Sequence, residues 1–202
     1  MLLALVAALV APAATAREVS TVPGGRYPTL QEALELAFGD AQVERGTVYL
    51  TKQQLKQAAK LAGEKIPGAI VHPYVARREG KLVGTAWVDV HRVRTLRETI
   101  LVVVDPDQRV RRIELLAFGE PEEYVPRQGW YGQFVGRRLD DELDLKRGIR
   151  GITGATLTAR ATTSAVRRVL AVHRVLNGPP PEPPPQPPPD DGARSAGTER
   201  RP

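Results

Sequence analysis

The run Gly151-Ile152-Thr153-Gly154-Ala155-Thr156-Leu157-Thr158 sets glycines and threonine hydroxyls directly before a segment of helical period. A helix leaves its first backbone N–H groups unpaired and carries a partial positive charge at that end. A glycine turn with hydroxyls at such a place suits a phosphate. The plainer reading of the same residues is a turn followed by hydroxyl caps, which many helices have. The segment that follows, about 158–176, puts Leu157, Ala161, Ala165, Val169 and Val172 near one side, and Arg160, Arg167, Arg168 and Arg174 largely on the other.

Other chemistry-bearing residues are sparse. Trp130, Tyr131 and Phe134 offer flat faces for a planar ring, or else fill a core in a chain with few aromatics. Of the histidines His72, His91 and His173, no pair has metal-ligand spacing, so no metal site is expected. His173 falls within the last helix and reads as packing or surface. His91, beside Arg92 and Arg94 at a strand end, is the one kept as a neighbour of a bound group. Asp140, Asp141, Glu142 and Asp144, interleaved with leucines, read as the solvated face of a short helical turn rather than as an acid–base pair. No nucleophile elbow, phosphate-loop lysine motif or dinucleotide fingerprint is present, so no catalytic residue is assigned.

The elements that would position the threonine turn can be read from pattern. A helix entered through Pro28 and Thr29 runs to about Phe38, and a strand follows from Gly46 to Leu50. Thr51 to Gln54 has the capping-box pattern before a second helix ended by Gly63. Strands are expected over 69–77 and 81–90, joined at Glu79-Gly80, and over 98–104 and 109–118, flanking Asp105-Pro106-Asp107-Gln108. Successive strands with tight turns imply an antiparallel sheet. The expected fold is therefore α+β, one domain, with helices packed mainly on one face. The connection 119–151 is long and only partly regular, as site-bearing connections often are.

With these residues in place, a resemblance can be stated. Thr153-Gly154-Ala155-Thr156 resembles the Ser/Thr-Gly-Ala-Thr signature of the FMN-binding domain family. That family includes the flavin subunits of the sodium-pumping quinone reductase and of the ion-translocating ferredoxin oxidoreductase. The segment 130–139 is similar to the family's Trp…Phe-x-Gly-Lys…Leu stretch, and 102–116 to its strand, polar turn, strand. Phe118-Gly119-Glu120-Pro121 is a degenerate form of its Glu-Thr-Pro-Gly loop. Together the likeness covers about residues 70–176. It implies FMN as cofactor, with the phosphate esterified to the hydroxyl of Thr156 by a flavin transferase. Thr153, Gly154, Ala155, Leu157 and Thr158 would shape the site, with Glu120 and Trp130 as further neighbours. Where the family carries Asp three residues before the signature, this chain has Arg150, a permanent cation that suits an ionic contact with phosphate.

The ends of the chain speak to location. Residues 1–16 carry no charge and close on Ala14-Thr15-Ala16, which reads as a secretory signal peptide too short to span a membrane. Export, to a periplasm or the outer face of the cytoplasmic membrane, is the expectation. Residues 17–176 form the domain, and 177–202 a proline-rich tail read as a disordered stalk. The absence of cysteine excludes disulfides, iron–sulfur ligation and thioether-bound haem within this sequence. The net charge of +6, from 29 basic and 23 acidic residues, fits an anionic cofactor with an acidic redox partner, or solubility alone. Nucleic acid is not expected, for no basic block interleaves with aromatics.

The reading is an exported electron carrier, more than a stand-alone enzyme, that exchanges electrons with a membrane or exported redox protein. An exported binding module of the same fold without a redox flavin, or a small flavin-dependent reductase, stays open beside it.

Overall fold

A computed structural model describes residues 27–179. The signal segment 1–16 and the tail from 180 onward lie outside the described residues.

Local chemistry starts both early helices. In α1 (Leu30–Phe38), the Thr29 hydroxyl accepts the Glu32 N–H at 3.2 Å and the Glu32 carboxylate accepts the Thr29 N–H at 2.8 Å. The same box, Thr51 with Gln54, opens α2 (Lys52–Ala62), which Gly63 ends in the left-handed region at φ 79°.

The sheet is antiparallel throughout, in the order β1 (Gln42–Arg45), β4 (Tyr74–Arg78), β5 (Lys81–Arg92), β6 (Arg97–Val104), β7 (Val110–Phe118). Glu79 and Gly80, at φ 51° and 77°, make the turn between β4 and β5, the mirror-image turn that suits strand twist. The strand expected over 46–50 shortens to β2 (Val48–Tyr49), which pairs separately with β3 (Ile70–Val71), and β1, just before it and not expected from the sequence, joins the main sheet. The single strand expected over 69–77 breaks before Tyr74. Pro73 has no N–H to donate, and its carbonyl accepts from Gly46 instead.

Strand β6 explains the layering. Ile100, Leu101, Val102, Val103 and Val104 are all fully buried, so both faces of the strand need cover. Ile100, Val102 and Val104 pack with Trp87 beneath α2 and α4 (Thr156–Asn177). Leu101 and Val103 pack with Ala76 and Ala86 against Ala33 and Phe38 of α1. The α+β, antiparallel, single-domain reading holds. Two helices share one face, and α1 alone takes the other.

The connection 119–155 contains a 3-10 turn at Glu122–Tyr124, the short helix α3 (Gln128–Tyr131) and a second 3-10 turn at Gly132–Phe134. The helical turn expected near 139–145 is instead a series of bends. There the Arg167 guanidinium takes the Asp140 and Leu143 carbonyls at 2.8 and 2.9 Å, acceptors that a helix would use for its own N–H groups. The neighbours Asp141, Glu142 and Asp144 are exposed, as read.

Candidate functional site

The helix α4 begins at Thr156, earlier than its apolar period suggests, and Ala155 at its cap supplies no side-chain hydrogen bond. No acidic residue lies in its first turn. Gly154 sits at φ 84°, and a Cβ built on it would meet nothing within 4 Å. The glycine is there for its backbone conformation, not for lack of room. Gly154→Ala is therefore expected to lose about 1–2 kcal/mol through left-handed strain. Urea unfolding would measure it, and an unchanged midpoint would mean the turn is not held at that φ.

Thr153, Gly154, Thr156 and Leu157 are exposed together at this helix start, and Leu157 is 48% exposed. Ala155 and Thr158 lie buried beneath them. An uncapped helix start with two exposed hydroxyls, open glycines at 151 and 154 and an exposed Arg150 fits a phosphate group.

The other two candidates brace this turn rather than face outward. Trp130 is 9% exposed, packed edge-on against Tyr131 and Phe134, and its indole N–H donates to the Arg150 carbonyl at 2.7 Å. Gln133 accepts the Arg150 N–H at 2.9 Å, so the Arg150 backbone is held on both sides while its side chain stays exposed. Glu120 is also buried. Its carboxylate accepts N–H groups from Leu96, Thr95 and Arg94 at 2.7, 2.6 and 3.2 Å, which hold its pKa below the usual range, the Leu96 bond most. It ties loop 119–127 to the β5–β6 turn. Trp130, Tyr131 and Phe134 are all buried, so none of them presents an open face for a flat ring.

Beneath the turn runs a chain of buried polar groups that sequence reasoning did not find. Glu98, fully buried, takes a hydrogen bond from the Tyr131 hydroxyl at 3.0 Å and one from Thr162 at 2.8 Å. It also meets His91 Nε2 at 2.8 Å, and His91 Nδ1 meets Asp89 at 2.9 Å. Arg168, expected on the outer side of α4, turns inward to Asp89 at 2.9 Å and Glu64 at 2.6 Å. A buried cation needs carboxylate partners, and these supply them. Thr158 adds a strut, donating to the Tyr124 carbonyl at 3.0 Å.

Burial alone would push His91 down. Its bonds to Asp89 and Glu98 and their charges outweigh this and raise it to about 9. Burial, then Glu98, pushes the Tyr131 phenol far above its usual range. His91, kept from sequence as a neighbour of a bound group, is thus engaged by protein carboxylates. One signal for this network was available: Thr158 and Thr162 lie four apart on the inner face of α4, where hydroxyls need partners. Among the described residues no His, Cys, Asp and Glu grouping could hold a metal, and no helix is long and apolar enough to cross a membrane.

Fold and site together define a small antiparallel α+β domain whose longest helix opens on an exposed glycine–threonine turn. Residues 97–171, from β6 into α4, match the family model described as FMN-binding domain. That match supports FMN as the cofactor. Among solved structures, the crystal structure of Shewanella oneidensis NqrC is similar at 15% identity, over 72% of this chain and 88% of that chain, with a TM-score of 0.49. No curated protein matches the chain.

Proposed function

We propose that this protein is an exported electron-transfer domain that carries FMN by its phosphate at the start of α4, through an ester to the Thr156 hydroxyl. The observation that carries the reading is the exposed Thr156 at an uncapped helix start, within the family's Thr-Gly-Ala-Thr word. Bound FMN would supply exchange of one or two electrons. The chain's own part is to hold the phosphate, with Thr153 and Gly154 shaping the turn and Arg150 adding a cation beside it. Leu157, exposed next to Thr156, would offer bound FMN an apolar surface. Export rests on the sequence of residues 1–16 and fits a tethered cofactor, which is not lost where none is resupplied. The partners would be a flavin transferase and a membrane or exported redox protein.

Arg150, in place of the family's Asp, favours a second form of the same reading, in which FMN is held by ionic contact alone. Intact mass of the full chain, co-expressed with a flavin transferase and compared with Thr156→Val, separates the two. A gain of one FMN less water, absent from the variant, is the expected result. Yellow protein of unmodified mass that loses its colour on denaturation would mean non-covalent FMN. Colourless, unmodified protein would overturn the proposal.

A further inference from the structure

Many arginines of this domain are engaged by the fold: Arg77, Arg137, Arg147, Arg167 and Arg174 donate to backbone carbonyls. Arg78, Arg109, Arg111, Arg112, Arg138 and Arg168 each pair with a carboxylate. Arg92, Arg94, Arg97, Arg127, Arg150 and Arg160 are exposed and pair with no carboxylate among the described residues.

Arg45 on β1 is likewise exposed without a carboxylate, but the other six gather at the end of the molecule that bears the threonine turn. Arg92 and Arg97 stand opposite one another across the β5–β6 pair, with Arg94 in the turn between them. Glu120 binds that turn to loop 119–127, and Thr158 binds the loop to α4 through Tyr124. Arg127 precedes α3, Trp130 of α3 holds Arg150, and Arg160 lies on the exposed side of α4 near its start. The exposed acidic residues of the loop, Glu122 and Glu123, do not balance six cations. Like charges placed directly opposite on a sheet destabilise it, so the Arg92–Arg97 pair works against the fold.

We propose that this arginine-bearing end is the docking surface for an acidic protein partner, which brings the partner's carboxylates around the threonine turn. The proposal rests on the electron-transfer reading for its purpose, though the binding it describes needs no flavin. Unpaired surface cations steer an oppositely charged protein and give fast, salt-sensitive association. Leu96 and Leu157, 49% and 48% exposed, add apolar contact within the positive field. An anionic membrane is the weaker occupant. Interfacial binding needs a broad apolar face and open aromatics, and Trp130, Tyr131 and Phe134 at this end are buried.

The test uses the full chain and a dye-labelled acidic plant-type ferredoxin as the probe, with binding followed by fluorescence anisotropy at low and moderate salt. Arg92→Glu with Arg94→Glu and Arg97→Glu is expected to weaken binding at least tenfold and to remove most of its salt dependence. Arg160→Glu, on a helix surface, is expected to weaken it several-fold and guards against a misfolded hairpin. A matched reversal on the exposed side of α2, Lys52→Glu with Lys56→Glu and Lys60→Glu, should leave binding within twofold. Equal loss from both triple variants would mean that net charge alone acts, and would overturn the proposal. So would no loss from either hairpin or Arg160 variant, or capture by phosphatidylglycerol vesicles without binding to ferredoxin. FMN content is read separately by absorbance, so a failure of the flavin reading is distinguishable from a failure of docking.

Discussion

Glu98→Ala is expected to destabilise the domain by about 3–5 kcal/mol, the cost of breaking a buried charge pair by removing one partner. Glu98 is wholly buried and serves His91, Tyr131 and Thr162 together, so its removal strands several polar groups that water cannot reach. Glu98→Gln keeps a hydrogen-bonding side chain but not the charge, and should lose less. Urea unfolding measures both, and a loss under about 1 kcal/mol for the alanine variant would show that the network contributes little. The damage should also reach the candidate site. Tyr131 belongs to α3, whose Trp130 holds Arg150, and Thr162 belongs to the first turns of α4. In Glu98→Ala the exposed threonine turn is therefore expected to exchange amide hydrogens faster than in the parent.

Stability should peak near pH 6.5 and fall on both sides, because two buried histidines are shifted in opposite directions. Bonds to Asp89 and Glu98 raise His91 to about 9 against its burial, so the folded state holds its proton more tightly than the unfolded chain does. That contribution is fully present below the unfolded value near 6.5 and is lost as pH rises through about 9. His173 is lowered by burial to about 4, with its Nδ1 accepting from the Trp87 indole at 3.3 Å. The unfolded chain therefore binds that proton more readily, and stability is lost as pH falls from 6.5 toward 4. Each limb amounts to roughly 3 kcal/mol at 1.36 kcal/mol per pH unit. Asp89, whose pKa is lowered overall because its bonds to His91 and Arg168 outweigh burial, adds to the acid limb at the lower end. Thermal unfolding from pH 4 to 10 checks the profile. His91→Gln should flatten the alkaline limb and His173→Phe the acid one. A midpoint that stays level between pH 6.5 and 9 would sink the assignment of a protonated His91.

Much of the local structure could be read from neighbouring residues. Thr29 with Glu32 and Thr51 with Gln54 cap their helices through partners three positions away, so the pattern in the chain is the interaction itself. The Glu79-Gly80 turn follows from residue type alone. The division of 69–77 around Pro73 was also there to be read, since proline lacks the donor a ladder needs. The bends at 139–145 were not, because leucine spacing favours helix and the carbonyls of Asp140 and Leu143 are taken instead by Arg167, 27 and 24 positions away.

The candidate site divides along the same line. The residue types of the threonine turn, its place before a helix and its resemblance to a family signature were all legible, because they depend on adjacent residues and a backbone rule. Which of the eight candidates face outward was not. Glu120 and Trp130 turn out to brace the site, since their partners Leu96 and Arg150 stand 24 and 20 positions away.

The sequence by itself determined the order of elements, the antiparallel sheet, the glycine–threonine turn at the head of α4 and the lack of any cysteine chemistry. Only the tertiary structure decided which charges go inside. Glu98 meets Tyr131 and Thr162 across 33 and 64 positions, and Arg168 meets Asp89 across 79. A charged residue at a strand end or on a helix is ordinarily solvated. It is buried only when folding delivers enough partners to offset lost hydration, and those partners come from elements that no local pattern connects.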